Sequence, residues 1–247
     1  MHFHRTSYRT FKAYYTGHVE RHLRRHFPKL VSYNRFVELM PRALLALCCF
    51  AETRKGRATG IAFIDSTALA VCHNARINQH KVFTGLAARG KTSVGWFFGF
   101  KLHLVVNDRG ELLSFALTPG NVDDRAPVRD LVRDLVGKLF GDRGYISQPL
   151  HEDLWEQGLE LITRLKKNMR DRLMLLWDKL MLRKRALVET IIDQLKNVSQ
   201  IEHSRHRSVV GFMVNLVAGL IAYTYQPKKP SLNIEREWGN MLPVLAA

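Results

Sequence analysis

From Val94 to Val106 every even position is apolar (Val94, Trp96, Phe98, Phe100, Leu102, Leu104, Val106), while Gly95, Gly99, Lys101 and His103 fall on odd ones. A repeat of two predicts a strand with unlike faces. Asn107-Asp108-Arg109-Gly110 follows as a turn, and Glu111 to Leu117 returns as the second arm of a hairpin. Upstream, Ile61-Ala62-Phe63-Ile64-Asp65 is a short unbroken apolar run ending in an acid, as in a strand buried on both faces. Thr118-Pro119-Gly120-Asn121 closes the hairpin, and Asp123 with Asp124 is expected to cap a helix running through Leu131, Leu135 and Val136, service as extra ligands being the weaker alternative. A short strand at 138–142, a helix around 149–158, a strand at 159–165 and a helix over 182–196 complete the series. This order predicts an α/β fold, a mixed sheet flanked by helices, over residues 60–226. Residues 227–247 are expected to be a C-terminal tail.

Before Gly60 the texture differs. Val37 to Phe50 is apolar enough for a helix, and the aromatic residues Tyr8, Phe11, Tyr14, Tyr15, Phe27, Tyr33 and Phe36 are interleaved with basic ones. Residues 1–60 carry 12 Lys and Arg against Glu20, Glu38 and Glu52 alone, so over half of the chain's net charge of +16 lies in its first quarter. That balance points to a polyanionic partner, of which nucleic acid is the commonest, although a solvated helical surface without a ligand would look similar. The segment from His80-Lys81 through Arg89-Gly90-Lys91 reads as a second basic stretch, a DNA-contacting loop or a solvated one, and His203, Arg205, His206 and Arg207 as a third. Cys48, Cys49 and Cys72 form no CxxC clip, which argues against a zinc ribbon or a disulfide framework and for a reducing cytoplasm. The longest apolar stretch, Val209 to Tyr225, is 17 residues and contains Asn215. It falls short of the ~20 residues needed to cross a bilayer, so a buried helix and no membrane partner are expected.

Three acids stand where chemistry could use them. Asp65 closes the most buried-looking strand, and a carboxylate there is costly unless paired or metal-bound; an exposed acid capping the turn through Ser66 and Thr67 is the simpler alternative. Asp142 repeats the situation between Gly141 and Gly144, where a plain Asp turn is the alternative. Glu189 lies on a helical stripe with Arg185, Ile192 and Lys196, at spacings that suit either a salt-bridge ladder or an acid flanked by two phosphate-holding cations.

Taken together, these segments resemble the DDE-type transposases of bacterial insertion sequences, whose catalytic domain is ribonuclease-H-like. In several branches of that family the Glu sits in the signature Tyr-x2-Arg-x3-Glu-x6-Lys. Here Arg185, Glu189 and Lys196 match it, and Leu182 stands where tyrosine is expected. Ile64-Asp65-Ser66-Thr67, Thr118-Pro119-Gly120-Asn121 and Gly141-Asp142-Arg143-Gly144-Tyr145 look like the family's other segments, and the resemblance spans about residues 31–226. It implies that Asp65, Asp142 and Glu189 are catalytic ligands of two Mg²⁺ ions, with Mn²⁺ as a substitute and Asp65 bridging both. Double-stranded DNA, at element ends and target, is the expected partner; Arg185 and Lys196 of the helix stripe, and Lys81, Arg89 and Lys91 if the second basic stretch is a DNA-contacting loop and not a solvated one, are the candidate contacts. Cleavage followed by strand transfer is the expected activity, and assembly as a homo-oligomer on DNA the expected state. The alternatives are a catalytically silent DNA-binding remnant and a nuclease of the same fold that cuts without joining. Because the family usually carries a longer end-recognition part, residues 1–59 are expected to be a truncated DNA-binding region.

Overall fold

The computed structural model describes residues 1–164, 174–203, 205–232 and 234. Its centre is a six-stranded sheet built from β1 (Ile61–Cys72), β2 (Ala88–Lys91), β3 (Trp96–Asn107), β4 (Leu112–Pro119), β5 (Gly137–Gly141) and β6 (Leu159–Thr163). The strand order is β2-β3-β1-β5-β6. β3 is long enough to pair along one edge with β1 and along the other with β2 and then β4, all antiparallel. β5 joins β1 in parallel, and β6 joins β5 in parallel.

The hairpin read from the period-two pattern is present, and its turn is held by one side chain. Asn107, fully buried, accepts from the Arg109 and Glu111 amides and donates to the Arg57 carbonyl and Glu111 carboxylate, while Gly110 supplies the positive φ of 70°. β3 begins at Trp96, and Val94 and Trp96 lie exposed at the β2–β3 turn rather than in the core. β1 differs more. It does not end at Asp65 but continues seven residues further, because β3 pairs with it up to Cys72, across a bulge near Ala70. The last residue of the predicted 159–165 strand lies outside the described residues.

Helices cover both faces. The alternating β1 positions Ile61, Phe63, Leu69 and Val71 share one core with Phe140 of β5 and with helices α6 (Leu176–Lys184), α7 (Ala186–Asp193) and α8 (Val209–Thr224). The intervening Ala62 and Ile64 meet the opposite core, with α4 (Val128–Leu131) and α5 (Gln148–Glu156). α8 is the apolar 209–225 segment, capped by the Ser208 hydroxyl, which accepts from the Gly211 amide, and buried along most of its length. No helix among the described residues is long and apolar enough to cross a membrane.

The expected helix capped by Asp123 and Asp124 is corrected. α4 has only four residues, its N-cap is Pro127, and no side chain caps it. Asp123 instead accepts from the Arg125 amide and guanidinium, and Asp124 pairs with Lys101 across the sheet at 3.0 Å.

Short helices fill much of the stretch up to Thr53: α1 (Phe11–Tyr14) continues as a wider turn through Tyr15–Leu23, and α2 (Tyr33–Leu39) is separated from α3 (Leu44–Thr53) by a tight turn at Pro41. Phe3, Tyr14, Tyr15 and Val19 close a small core of their own. The region is docked on the rest. His4 reaches the Ser199 carbonyl, Gln200 the Tyr8 carbonyl and Arg205 the Arg9 carbonyl, and Ala51 of α3 packs on Val217 and Ile221 of α8.

Candidate active site

Sheet register brings the two aspartates together. β1 and β5 pair Ile61 with Lys138, Ala62 with Leu139 and Phe63 with Phe140. Two further residues along the same register set Asp65 opposite Asp142, the first residue beyond β5. Period-two alternation then decides the face: Asp65 keeps the parity of Ile61 and Phe63, and Asp142 that of Phe140, so both belong to the side covered by α6, α7 and α8. Asp142 turns at once into a short 3₁₀ segment, where its Oδ1 accepts from the Gly144 amide at 2.7 Å.

The third acid arrives from the helix above. Lys138 of β5 and the buried Asp178 of α6 pair at 2.7 Å, holding α6 to the sheet, and Leu187, Val188 and Ile191 bury one side of α7. Arg185, at the α6–α7 junction, therefore points at β1. One guanidinium nitrogen donates to Asp65 Oδ2 at 3.0 Å and another to Glu189 Oε1 at 2.6 Å. Glu189 is about half exposed (54%), whereas Asp65 and Arg185 are largely covered.

The electrostatics fit this crowding. Burial pushes the Asp65 carboxyl up to about 6, with Arg185 and the Ser66 amide pulling against the rise and the nearby Asp142 charge adding to it. Tyr145, buried against the same cluster, has its hydroxyl pushed up by burial and then by Asp65, Asp124 and Asp142. Asp124, whose weaker alternative to capping was an extra ligand, is thus a fourth acid in the neighbourhood, placed by its long-range pair with Lys101. Leu182, at the signature's tyrosine position, is a buried member of the main core.

The remaining predicted residues lie elsewhere. Lys196 donates to the Ala68 carbonyl at 2.6 Å and pairs with Glu202 at 2.8 Å, tying the end of the α7 region to β1. Lys81 is exposed ahead of the turn around Phe83, and Arg89 and Lys91 are exposed on β2, a strand where a loop was expected. The Lys91 ammonium lies over the Trp96 ring.

Carboxylate oxygens are the donors that Mg²⁺ and Mn²⁺ take, so the donor chemistry here fits such ions. Among the described residues no three His, Cys, Asp or Glu side chains already stand close enough together to hold one. Between Asp65 and Glu189 the intervening group is the Arg185 guanidinium.

No curated protein matches the chain. Among solved structures, the chain is similar to the piggyBac transposase in its synaptic complex with hairpin DNA, with a TM-score of 0.50 and 11% identity over 71% of this chain and 49% of that one. It thus spans about half the length of that relative, and the likeness identifies the ribonuclease-H-like fold of transposase catalytic domains. The Mos1 strand transfer complex also aligns, at 12% identity over 81% of this chain and 65% of that one, with a TM-score of 0.27 that is too low to define a shared fold. The family model described as "Transposase DDE domain" matches residues 55–209, more than half of the chain, and takes in β1, β5 and α7 with their acids. The chain belongs to the transposase DDE domain family.

Proposed function

We propose that this protein is an insertion-sequence transposase that cuts DNA at the ends of its element and joins the freed 3′-hydroxyl to target DNA. The observation that carries the reading is the convergence of Asp65 and Asp142 by sheet register with Glu189, linked to Asp65 through Arg185.

Asp65, Asp142 and Glu189 would hold two divalent cations, Mg²⁺ or in its place Mn²⁺. When bound, such a pair lowers the barrier to phosphodiester displacement by neutralising charge on the attacking and leaving oxygens. The chain's own parts position this chemistry. The Gly144 amide fixes the Asp142 carboxylate, Tyr145 walls the acids from the core on the α5 side, and the Lys138–Asp178 pair sets the height of α6 and α7 over the sheet. Arg185 is close enough to meet a phosphate beside Glu189, and the exposed Lys81, Arg89 and Lys91 offer charge along the β2 edge. Lys196 serves first to hold the α7 region against β1, so its part in DNA contact is secondary to that anchoring. Residues 1–59 would supply most of the backbone attraction as the DNA-binding part, residues 60–226 the catalytic domain, and residues 227–247 a tail. Assembly as a homo-oligomer on DNA and action in the cytoplasm belong to the same proposal.

The test uses linear DNA carrying the sequences that flank the gene, incubated with the full chain in Mg²⁺ or in chelator, beside Asp65→Asn and Asp142→Asn. Cleavage and a strand-transfer product with the wild type in Mg²⁺, and neither product with the two variants, are expected. Cleavage without joining would make the protein a nuclease, and DNA binding without turnover a silent remnant. Retained cleavage in either variant would remove that residue from the site.

A further inference from the structure

The two acids that Arg185 links are acids a divalent cation would need. Its guanidinium donates to Asp65 Oδ2 at 3.0 Å and to Glu189 Oε1 at 2.6 Å, using separate nitrogens, and only 20% of the side chain is exposed. A planar fork can hold two carboxylates at once where a lysine ammonium, a point charge, cannot grip them in the same way. The other cations bonded nearby are committed elsewhere, Lys196 to Glu202 and the Ala68 carbonyl, and Lys101 to Asp124 and the Val122 carbonyl. The position of the fork is itself fixed. Arg185 keeps helical backbone angles between α6 and α7, and those helices are held by the Lys138–Asp178 pair and by the burial of Leu187 and Val188.

We propose that Arg185 is a built-in counter-cation of the acidic centre, holding Asp65 and Glu189 together in the metal-free protein and competing with a divalent cation for their oxygens. The inference rests on the transposase reading for the identity of the ligands, and concerns how this chain keeps them before metal arrives. The fork takes Asp65 Oδ2 and Glu189 Oε1, and its positive charge opposes a divalent cation brought to the same two carboxylates, so loading favours withdrawal of the fork, and whatever fork stabilisation is given up on loading weakens the apparent metal affinity by the corresponding factor. The released guanidinium then faces the open side of the centre beside Glu189, where phosphate would approach. Arg185 is thus a positioning residue whose removal improves metal binding even while it harms DNA processing.

The experiment is calorimetric titration of Mn²⁺ alone into the full-length wild type, Arg185→Gln and Arg185→Lys, with thermal melting of each protein in chelator and in saturating Mn²⁺. Arg185→Gln is expected to melt lower than the wild type in chelator, to gain more from Mn²⁺, and to bind Mn²⁺ on the order of 10-fold more tightly, within the range typical of a coupling between two sites. Arg185→Lys keeps the charge, so it is expected to shift affinity in the same direction by less, and it decides the matter alone if Arg185→Gln does not fold. Mn²⁺ affinity unchanged or weakened in the folded variants, with the wild type still binding, would overturn the counter-cation role and leave the transposase reading standing. No Mn²⁺ binding in any of the proteins would overturn both.

Discussion

Gly144 controls Asp142 by lacking a side chain. Its amide donates to Asp142 Oδ1, and a Cβ built at Gly144 would stand 2.9 Å from that same oxygen, closer than carbon and oxygen approach without something shifting. Gly144→Ala should therefore turn the carboxylate away from Asp65 while leaving a surface turn otherwise intact. A misplacement of about 1 Å at a reacting centre can cost about 10²-fold in rate, so cleavage by the variant is expected to fall by at least about 10-fold with melting close to wild type. Full activity would show that the Asp142 rotamer is not set by this turn. Glu189→Gln separates the two meanings of the Arg185–Glu189 pair. Because Glu189 is more than half exposed, a salt-bridge role alone predicts a stability change of at most ~0.5 kcal/mol and no loss of activity. As a metal ligand, its neutral amide should lower cleavage by at least about 10²-fold, the scale seen when one transition-state-stabilising group is removed. Cleavage assayed beside melting in chelator distinguishes them, and wild-type activity would return Glu189 to the solvated face.

At the scale of the element, the site depends on α6 and α7 keeping their height above β1 and β5. Lys138 and Asp178 are both nearly buried, and removing one partner of such a pair leaves an uncompensated charge. Asp178→Asn should cost about 3 kcal/mol, the low end for breaking a buried pair, since Glu160 remains 3.5 Å from Lys138. The double change Lys138→Met with Asp178→Leu should recover most of that loss in urea unfolding, and failure to recover it would assign the cost to side-chain shape rather than charge. These elements were unequally legible in the sequence. The β3–β4 hairpin was readable because Leu102, Leu104 and Val106 alternate and Asn107 to Gly110 make the turn. β1 read too short because Asp65-Ser66-Thr67 interrupts the apolar run, yet that is where the strand passes from core to acidic centre while its backbone stays paired with β3. β2 was invisible, because Ala-Arg-Gly-Lys has no strand pattern and is extended only by pairing with β3. Asp123 and Asp124 looked like caps because their partners, Arg125's own guanidinium and the sequence-distant Lys101, cannot be told from spacing. Among the candidate acids, Asp142 does follow the end of a strand and Glu189 lies on a helix, whereas Asp65, singled out as a strand end, sits within β1. The grip of Arg185 on Asp65, 120 residues away, was not readable.

Over the whole molecule, two properties follow from how the basic N-terminal region is held and what it leaves free. It docks beside a set of histidines that are neutral in the folded protein: burial lowers His4 to about 4 and His206 to about 3, and also lowers His203, which stacks on His206 at 3.8 Å. On unfolding, these rings regain the usual value near 6.5 and take up protons. Stability contributed by keeping them neutral is thus fully present above about pH 6.5 and lost as pH falls toward 4, and melting temperature should drop across that window. His4→Gln, which can still donate to the Ser199 carbonyl, should flatten the drop; an unchanged profile would exclude His4 as its source. The region's charge is the second property. Of its 12 Lys and Arg, ion pairs among the described residues engage Arg35 with Glu38 and Lys55 with Glu52, and Arg54 lies over the Tyr225 ring. Arg21, Arg24 and Arg25 are exposed together at the end of the helix that α1 begins. If DNA runs along this face, affinity should fall steeply with salt, because each phosphate neutralised releases condensed counterions and contributes about −0.9 to the slope of log K against log salt. Changing all three arginines to Gln should make that slope shallower by up to about 2.7, three phosphates' worth, on any duplex sequence and with melting unaltered. Binding measured by fluorescence anisotropy on two unrelated duplexes checks this. A slope unchanged by the triple substitution would move the DNA path to the β2 edge and its Lys81, Arg89 and Lys91, and a salt-insensitive affinity would remove the electrostatic basis for DNA binding.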